Sequence, residues 1–174
     1  TYAPVYTDRD IEPQRDLSNH ITFYALGQFD RFGARALLRG ISCGLRINPE
    51  YSPVETALYN PASPGSRLGI TADKLPVLPD GIEGLHFHTL CESGPEELAK
   101  TLEAVEMRFG HLLPKVKWLN MGGGHLMTRQ GYDTGLLVKI LKDFKAKYAH
   151  LRLILEPGSA FTWQTGVLVA TVED

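Results

Sequence analysis

Short runs dominated by Val, Ile, Leu and Phe alternate along this chain with longer segments whose apolar residues recur at helical spacing. The runs are nearly continuous rather than alternately apolar and polar, which is typical of strands buried on both faces. Buried strands separated by helices indicate parallel pairing through crossover helices, and hence an α/β fold. The predicted strands cover residues 2–6, 20–25, 43–48, 83–89, 116–122, 151–156 and 165–172.

Three amphipathic helices are predicted between these strands, over residues 28–40, 93–110 and 132–150. The second has Ser93 and Glu96 at the spacing of a capping box. The apolar stripes of all three helices are interpreted as core faces. An open doubly wound sheet and a (β/α) barrel both fit this alternation, and in either fold active residues gather at the carboxyl ends of the strands.

The bulk composition excludes several classes of function. The 174 residues suggest one domain with a sizeable core, and a net charge of −2 favours neither a nucleic-acid partner nor a membrane surface. No apolar run is long enough to span a bilayer. Only two cysteines are present, Cys43 and Cys91, which argues against a disulfide scaffold and is consistent with a reducing cytoplasm.

Two histidines share one face of the predicted strand in "GLHFHTLCES", because side chains alternate along a strand. His86 and His88 can bind a metal, with His125 as a third ligand, can flank an aromatic cofactor, or can be core residues. Cys91 and Glu92 follow in the loop. A nucleophilic Cys–His pair is conceivable, but a place in a pocket wall is the simpler interpretation.

Three glycines, Gly122, Gly123 and Gly124, stand at the end of the strand predicted over residues 116–122, "VKWLNMG". Glycines at a strand end let the backbone approach an anion such as phosphate, although a flexible turn is the alternative. Neither a Walker A loop nor G-x-G-x-x-G is present. Glu156 ends the apolar run "LRLILE", where a carboxylate either faces a cationic group in a pocket or is a solvated strand end or helix cap.

A proline-rich segment interrupts the alternation at residues 49–80, which hold six of the eleven prolines. Loops of this length in compact domains are often functional. Near its end, Arg67 in "GSRLGIT" can bind an anion or stack on an imidazole, or can be a surface arginine at the start of a helix.

Taken in order, "SRLGI", "GLHFHTLCE", "NMGGGH" and "LEPGSA" resemble the pyridoxal 5'-phosphate (PLP) decarboxylases of the alanine-racemase-like fold, fold type III. "LRINPEYS", "HFHTLCE" and "WLNMGGGH" resemble the carboxynorspermidine/carboxyspermidine decarboxylases among them. The resemblance implies a (β/α)8 TIM-type barrel with PLP at its mouth. It further implies decarboxylation of a carboxylated polyamine in spermidine biosynthesis, by a cytoplasmic homodimer.

The same resemblance implies roles for individual residues. His88 matches the histidine that stacks on the pyridine ring, with His86 supporting it one layer deeper in the barrel. Glu156 matches the carboxylate that pairs with the ring nitrogen. Gly122, Gly123 and Gly124 match the glycine-rich segment that binds the phosphate of the cofactor.

Further pocket residues also follow from the resemblance. Arg67 matches a basic residue of a loop near the cofactor, and Cys91 and Glu92 match positions beside the phosphate and the substrate. Ser159 follows "EPG", where relatives acting on ornithine carry an arginine that grips phosphate and the carboxynorspermidine group carries an acid. Serine matches neither group, so this position does not identify the substrate.

Two parts of such enzymes have no counterpart in this sequence. The Schiff-base lysine lies on an early barrel strand, whereas the first lysine here is Lys74, and Lys117 is at the amino end of its strand. The β-rich domain that follows the barrel is also unmatched. We therefore expect residues 1–174 to be a partial PLP-binding barrel domain, inactive alone. Two alternatives remain: a non-catalytic PLP-binding barrel protein, and a metal-dependent barrel hydrolase using His86 and His88.

Overall fold

One parallel sheet organises the chain. The computed structural model describes residues 1–172, apart from the side chains of Arg15 and Asp16. The five strands pair in parallel, and their spatial order follows their order in the chain. The α/β fold with parallel pairing is therefore confirmed. The strands are β1 (His20–Phe23), β2 (Ser42–Arg46), β3 (Ile82–Ser93), β4 (Trp118–His125) and β5 (Arg152–Leu155).

Five α-helices accompany the sheet, and the three predicted ones are among them with shifted ends. Their bounds are α1 (Asp8–Leu17), α2 (Leu26–Leu37), α3 (Pro95–Phe109), α4 (Thr134–Lys147) and α5 (Gly158–Thr162). The proline-rich segment is irregular except for two 3₁₀ turns (Ala57–Tyr59 and Ala72–Lys74), and a third 3₁₀ turn (Leu113–Lys115) precedes β4. None of the helices in residues 1–172 combines the length and apolar character needed to cross a lipid bilayer.

The helix α1 was not predicted, although its start carries a local signal. The Asp10 carboxylate accepts hydrogen bonds from the backbone N–H and hydroxyl of Thr7, both at 2.7 Å. The predicted capping box of α3 was placed one residue too early. Ser93 ends β3, and Glu97 instead accepts a 2.9 Å bond from the backbone N–H of Gly94.

Two predicted strands are wrong. Residues 165–172 form no strand, and Val167 and Leu168 are 90% and 95% exposed. Of residues 2–6, only Tyr2 pairs, in an isolated parallel bridge with Thr22. Both segments have the apolar composition of strands, but a strand needs a neighbouring backbone to complete its hydrogen bonds. Residues 165–172 have no such neighbour in the part of the chain that the structure describes.

The central strand β3 is covered on both faces. Leu85, His86 and Phe87 are all fully buried, although successive side chains point to opposite sides of the sheet. Parallel register then aligns His86 with Asn120 of β4, and Asn120 with Ile154 of β5. The carboxyl ends of β3, β4 and β5 therefore meet at one edge, which is where the predicted site residues lie.

Candidate active site

A cavity of about 660 Å³ opens at the carboxyl ends of β2 to β5. Its walls include most of the residues that the sequence singled out, which are far apart in the chain. The predicted residues that line it are His88, Cys91, Glu92, Gly123, Gly124, Glu156 and Ser159.

Gly122 lies behind the cavity wall rather than on it. A Cβ at this position would lie 2.5 Å from Nε2 of His86, 2.6 Å from the Phe87 carbonyl oxygen and 2.8 Å from Oε2 of Glu156. Only a glycine leaves room for these groups. The next residue, Gly123, has φ +117°, a conformation that side chains rarely allow. The first two glycines therefore meet different requirements, close approach and an unusual backbone turn.

Arg67 lies apart from the other predicted residues. It lines a neighbouring cavity of about 510 Å³ together with Lys74, and Tyr24 borders both cavities. Lys117 is also remote, as expected from the sequence. It directly precedes β4, at the opposite end of the strands from the cavity, and its ammonium pairs with Glu83.

The centre of the site is the carboxylate of Glu156, placed between two imidazoles. Its Oε2 lies 3.7 Å from Nε2 of His86 and 3.6 Å from Nδ1 of His88. This oxygen is buried and has no hydrogen-bond partner among the described residues. A buried carboxylate oxygen without a donor is costly, so the geometry favours a ligand that brings a cationic or N–H group.

Asn120 holds the other oxygen of the same carboxylate. Its amide nitrogen donates a 2.8 Å hydrogen bond to Oε1 of Glu156. Burial by itself raises the pKa of Glu156, but the two imidazoles and this amide outweigh it, and the pKa lies below its usual value. Glu156 is therefore ionised at neutral pH.

The two histidines differ in exposure. His86 is fully buried, its ring centroid lies 4.8 Å from that of Tyr2, and burial lowers its pKa, so it is neutral at pH 7. The side chain of His88 is 38% exposed, and its Nδ1 lies 3.2 Å from the Tyr2 hydroxyl in a hydrogen bond. Burial, and then the charge of Glu156, raise the pKa of Tyr2 to about 12, so Tyr2 keeps its proton.

Arg46 is a cavity residue that the sequence analysis missed. It ends β2, is only 4% exposed, and donates a 3.1 Å hydrogen bond to the backbone carbonyl of His88. Its guanidinium lies 4.4 Å from the ring centroid of Tyr24, within range of a cation–π contact. A single charge in the apolar run "CGLRIN" is the signal that could have found it, as it found Glu156.

The same cluster has the composition of a metal site, with two imidazoles and one carboxylate. Each of these residues offers one ligand atom, and the three atoms, from His86, His88 and Glu156, lie within 4.8 Å of one another. His125, the third ligand considered from sequence, is not part of this cluster. Its Nδ1 instead lies 2.9 Å from the Tyr132 hydroxyl.

Several curated proteins resemble this chain over nearly all of its length. No protein-family profile matches it. It is 52% identical over 174 residues to the carboxyaminopropylagmatine decarboxylase of Synechocystis, and 43% identical over 175 residues to the carboxynorspermidine/carboxyspermidine decarboxylase of Campylobacter jejuni. Both of these similar proteins are named as decarboxylases of a carboxylated amine. These alignments cover 99% and 100% of this chain but 45% of each relative, so the chain spans less than half of their length.

Solved structures agree with this relationship. The crystal structure of carboxynorspermidine decarboxylase complexed with norspermidine, from Campylobacter jejuni, superimposes with a TM-score of 0.82 at 40% identity. The match covers 95% of this chain and 42% of that one. A diaminopimelate decarboxylase structure matches with a TM-score of 0.67 at 21% identity, covering 91% of this chain and 41% of that one, and shows a shared fold. The resemblance first seen in four short motifs thus extends over the whole chain.

Proposed function

We propose that the complete protein is a PLP-dependent decarboxylase of a carboxylated polyamine, and that residues 1–174 are part of its (β/α)8 barrel domain. The observation that carries the proposal is the buried, unpartnered Oε2 of Glu156 beside His88 at the cavity. The strand order supports a barrel, because a doubly wound sheet reverses its order at a switch point and β1 to β5 do not.

The residues at the cavity fit PLP, which needs a grip for its phosphate, a surface for its ring and an anion for its ring nitrogen. Gly123 and Gly124 bring backbone to the cavity wall without side chains. His88 offers a half-exposed imidazole face, and Glu156 offers the ionised carboxylate. A volume of about 660 Å³ lies within the usual range for cofactor sites.

When bound, PLP supplies an electron sink for the electron pair left on the substrate as carbon dioxide departs. Glu156 holds a proton at the pyridine nitrogen, because an ionised carboxylate in a partly buried site stabilises the positive ring. His88 orients the ring by packing, and Tyr2, Tyr24 and Tyr59 contribute aromatic surface to the cavity wall.

We propose a substrate with an amino-acid carboxylate at one end of a polycationic amine. The names of both relatives describe a carboxylated amine of this kind. Glu92 supports the idea, because its carboxylate is exposed at the cavity and suits a substrate ammonium group. Ser159 at the same cavity has a hydroxyl that suits the phosphate or the substrate. The proposal includes a cytoplasmic homodimer as the working form.

The direct test uses the complete protein, purified with PLP. Carbon dioxide release is measured in parallel with carboxynorspermidine, carboxyspermidine and carboxyaminopropylagmatine. We expect PLP-dependent turnover of at least one of them. Bound PLP without turnover of any would favour the non-catalytic alternative, and a metal-bound protein that cannot be loaded with PLP even after the metal is removed would favour the hydrolase.

Borohydride reduction of the PLP complex then locates the Schiff-base lysine. Lys117 is at the wrong end of its strand and Lys74 lines the neighbouring cavity, so we expect the pyridoxyl group on a lysine outside residues 1–174. A stoichiometric adduct on either of these two lysines, found by peptide mass spectrometry, would contradict the proposed arrangement.

A further inference from the structure

We propose that the cofactor-free protein binds one zinc ion through His86, His88 and Glu156, and that zinc and the cofactor exclude each other. Zinc binding stands on the geometry of these residues alone. The exclusion also rests on the proposed function, because it requires PLP to use the same cavity.

The spacing of the three donors suits a single tetrahedral ion. With metal–ligand bonds of about 2.0–2.2 Å, two ligand atoms at the tetrahedral angle lie roughly 3.3–3.6 Å apart. Oε2 of Glu156 lies 3.6 Å from Nδ1 of His88 and 3.7 Å from Nε2 of His86. Both gaps are within a few tenths of an ångström of this range. All three donor atoms lie within 4.8 Å of one another, so only the gap between the two imidazole nitrogens must close when the ion binds.

Two of the three donor atoms have no competing partner. Both ring nitrogens of His86 and Oε2 of Glu156 are buried and have no hydrogen-bond partner among the described residues. Nδ1 of His88 makes one hydrogen bond, to the hydroxyl of the half-buried Tyr2. A fully buried imidazole with both nitrogens unpartnered is unusual, because buried polar atoms are normally satisfied. Coordination satisfies Nε2 of His86 and Oε2 of Glu156 at once.

The surroundings support a metal with an open position. Asn120 donates to Oε1 of Glu156 and so fixes the carboxylate through the oxygen that is not needed for the metal. His88 and Glu156 also line the cavity, which leaves the fourth position of the ion open to a water molecule. Zinc favours such a set of two histidines and one carboxylate.

Two histidines outside the cluster, His111 and His150, provide a control for the zinc-binding test. Each contacts a backbone carbonyl. Nε2 of His111 contacts the Pro76 carbonyl at 3.2 Å, and Nε2 of His150 contacts the Leu113 carbonyl at 3.1 Å. Neither belongs to a group of three converging metal-ligating residues, and among residues 1–172 the cluster of His86, His88 and Glu156 is the one such group.

The test is equilibrium dialysis of the complete, cofactor-free protein against zinc chloride, with elemental analysis. We expect one zinc per chain. His86→Gln and, separately, Glu156→Gln should each weaken zinc binding by at least about 10–100-fold, the loss expected even for an outer-shell partner. His111→Ala should leave it unchanged. Circular dichroism establishes that each variant is folded.

The same dialysis after loading with PLP and removal of unbound cofactor tests the exclusion. We expect the loaded protein to take up no zinc at the concentration that saturates the cofactor-free form. Zinc bound equally by both forms would overturn the exclusion, and no zinc in the cofactor-free form, or equal affinity in both folded ligand variants, would overturn the site. Failure to bind PLP would instead count against the proposed function.

Discussion

Asn120 donates a 2.8 Å hydrogen bond to Oε1 of Glu156 and leaves Oε2 of the same carboxylate to lie between two imidazoles. The sheet creates this contact. Asn120 on β4 is in register with His86 on β3 and with Ile154 on β5, two residues before Glu156. One carboxylate oxygen is thus fixed by the protein and the other is kept for a ligand.

The first prediction is that Asn120→Leu lowers kcat of the complete enzyme by about 10–100-fold, because a hydrogen bond to a charged group contributes roughly 1.5–3 kcal/mol. Glu156 then loses its fixed orientation and part of its preference for the ionised form. The acid limb of the kcat–pH profile should therefore move to higher pH. Asn120→Asp places a second carboxylate beside Glu156 and should move the limb further. Unchanged profiles in both variants would assign Asn120 a purely structural role.

We predict that substitution of one histidine weakens PLP binding, whereas substitution of the other lowers the free energy of unfolding. The half-exposed His88 should act on the cofactor, so His88→Ala should weaken PLP binding with little change in the free energy of unfolding. The ring of His86 is fully buried against Tyr2, so His86→Ala should leave a void that costs about 2–4 kcal/mol of unfolding free energy. Fluorescence titration with PLP and urea denaturation measure the two effects. If His88→Ala lowered the free energy of unfolding and left PLP binding unchanged, while His86→Ala did the opposite, the geometry would be contradicted.

Gly122→Ala tests the close approach behind the cavity wall. The added methyl group meets His86, the Phe87 carbonyl and Glu156 at 2.5–2.8 Å, so we expect a loss of about 1–3 kcal/mol in unfolding free energy and weaker PLP binding. Gly27→Ala is the matched control, because nothing lies within 4 Å of a Cβ at that helical position. Equal effects of the two substitutions would show that Gly122 is not needed for space.

Stability is predicted to fall on acidification. Burial lowers the pKa of His86 and of His125 below the ordinary value of 6.5, so the unfolded chain takes up protons before the folded one does. The free energy of unfolding should therefore decrease as pH falls below about 6.5, and Glu156, whose pKa is also lowered, adds a loss below about 4.5.

Urea denaturation at a series of pH values measures this dependence. His86→Gln should flatten the slope between about pH 6.5 and 5, while the same change at the exposed His111 should not. Identical slopes in the wild type and in His86→Gln would show that His86 does not remain neutral in the folded protein.

Much of the site could be predicted from sequence because its residues follow apolar runs directly. Glu156 and the three glycines are recognisable in the sequence at the ends of apolar runs. Parallel pairing brings the carboxyl ends of strands together regardless of the conformation of the connecting loops. Asn120 and Arg46 were missed because they lie inside runs that were interpreted only as buried strands. The role of Asn120 depends on register, which fixes its neighbours on adjacent strands and cannot be extracted from one run alone, whereas the charge of Arg46 within an apolar run was a usable signal.

Prediction of the fold from sequence is limited in the same way. The helix stripe of α3, Leu98, Leu102 and Val105, is buried as its spacing indicated. Residues 165–172 have an equally apolar pattern but form no strand, because a strand depends on a partner backbone that local composition does not specify.

The most direct measurement for the whole account is kcat of Glu156→Gln in the complete enzyme, with cofactor occupancy determined on the same sample. Gln keeps the size of the side chain and one acceptor oxygen but cannot hold a proton at the ring nitrogen by charge. A loss of about 2–4 kcal/mol of barrier stabilisation predicts turnover lower by roughly two to three powers of ten. PLP should remain bound, because the glycines and His88 are unchanged. Near wild-type turnover at full occupancy would contradict the role of Glu156 and with it the proposed decarboxylase site.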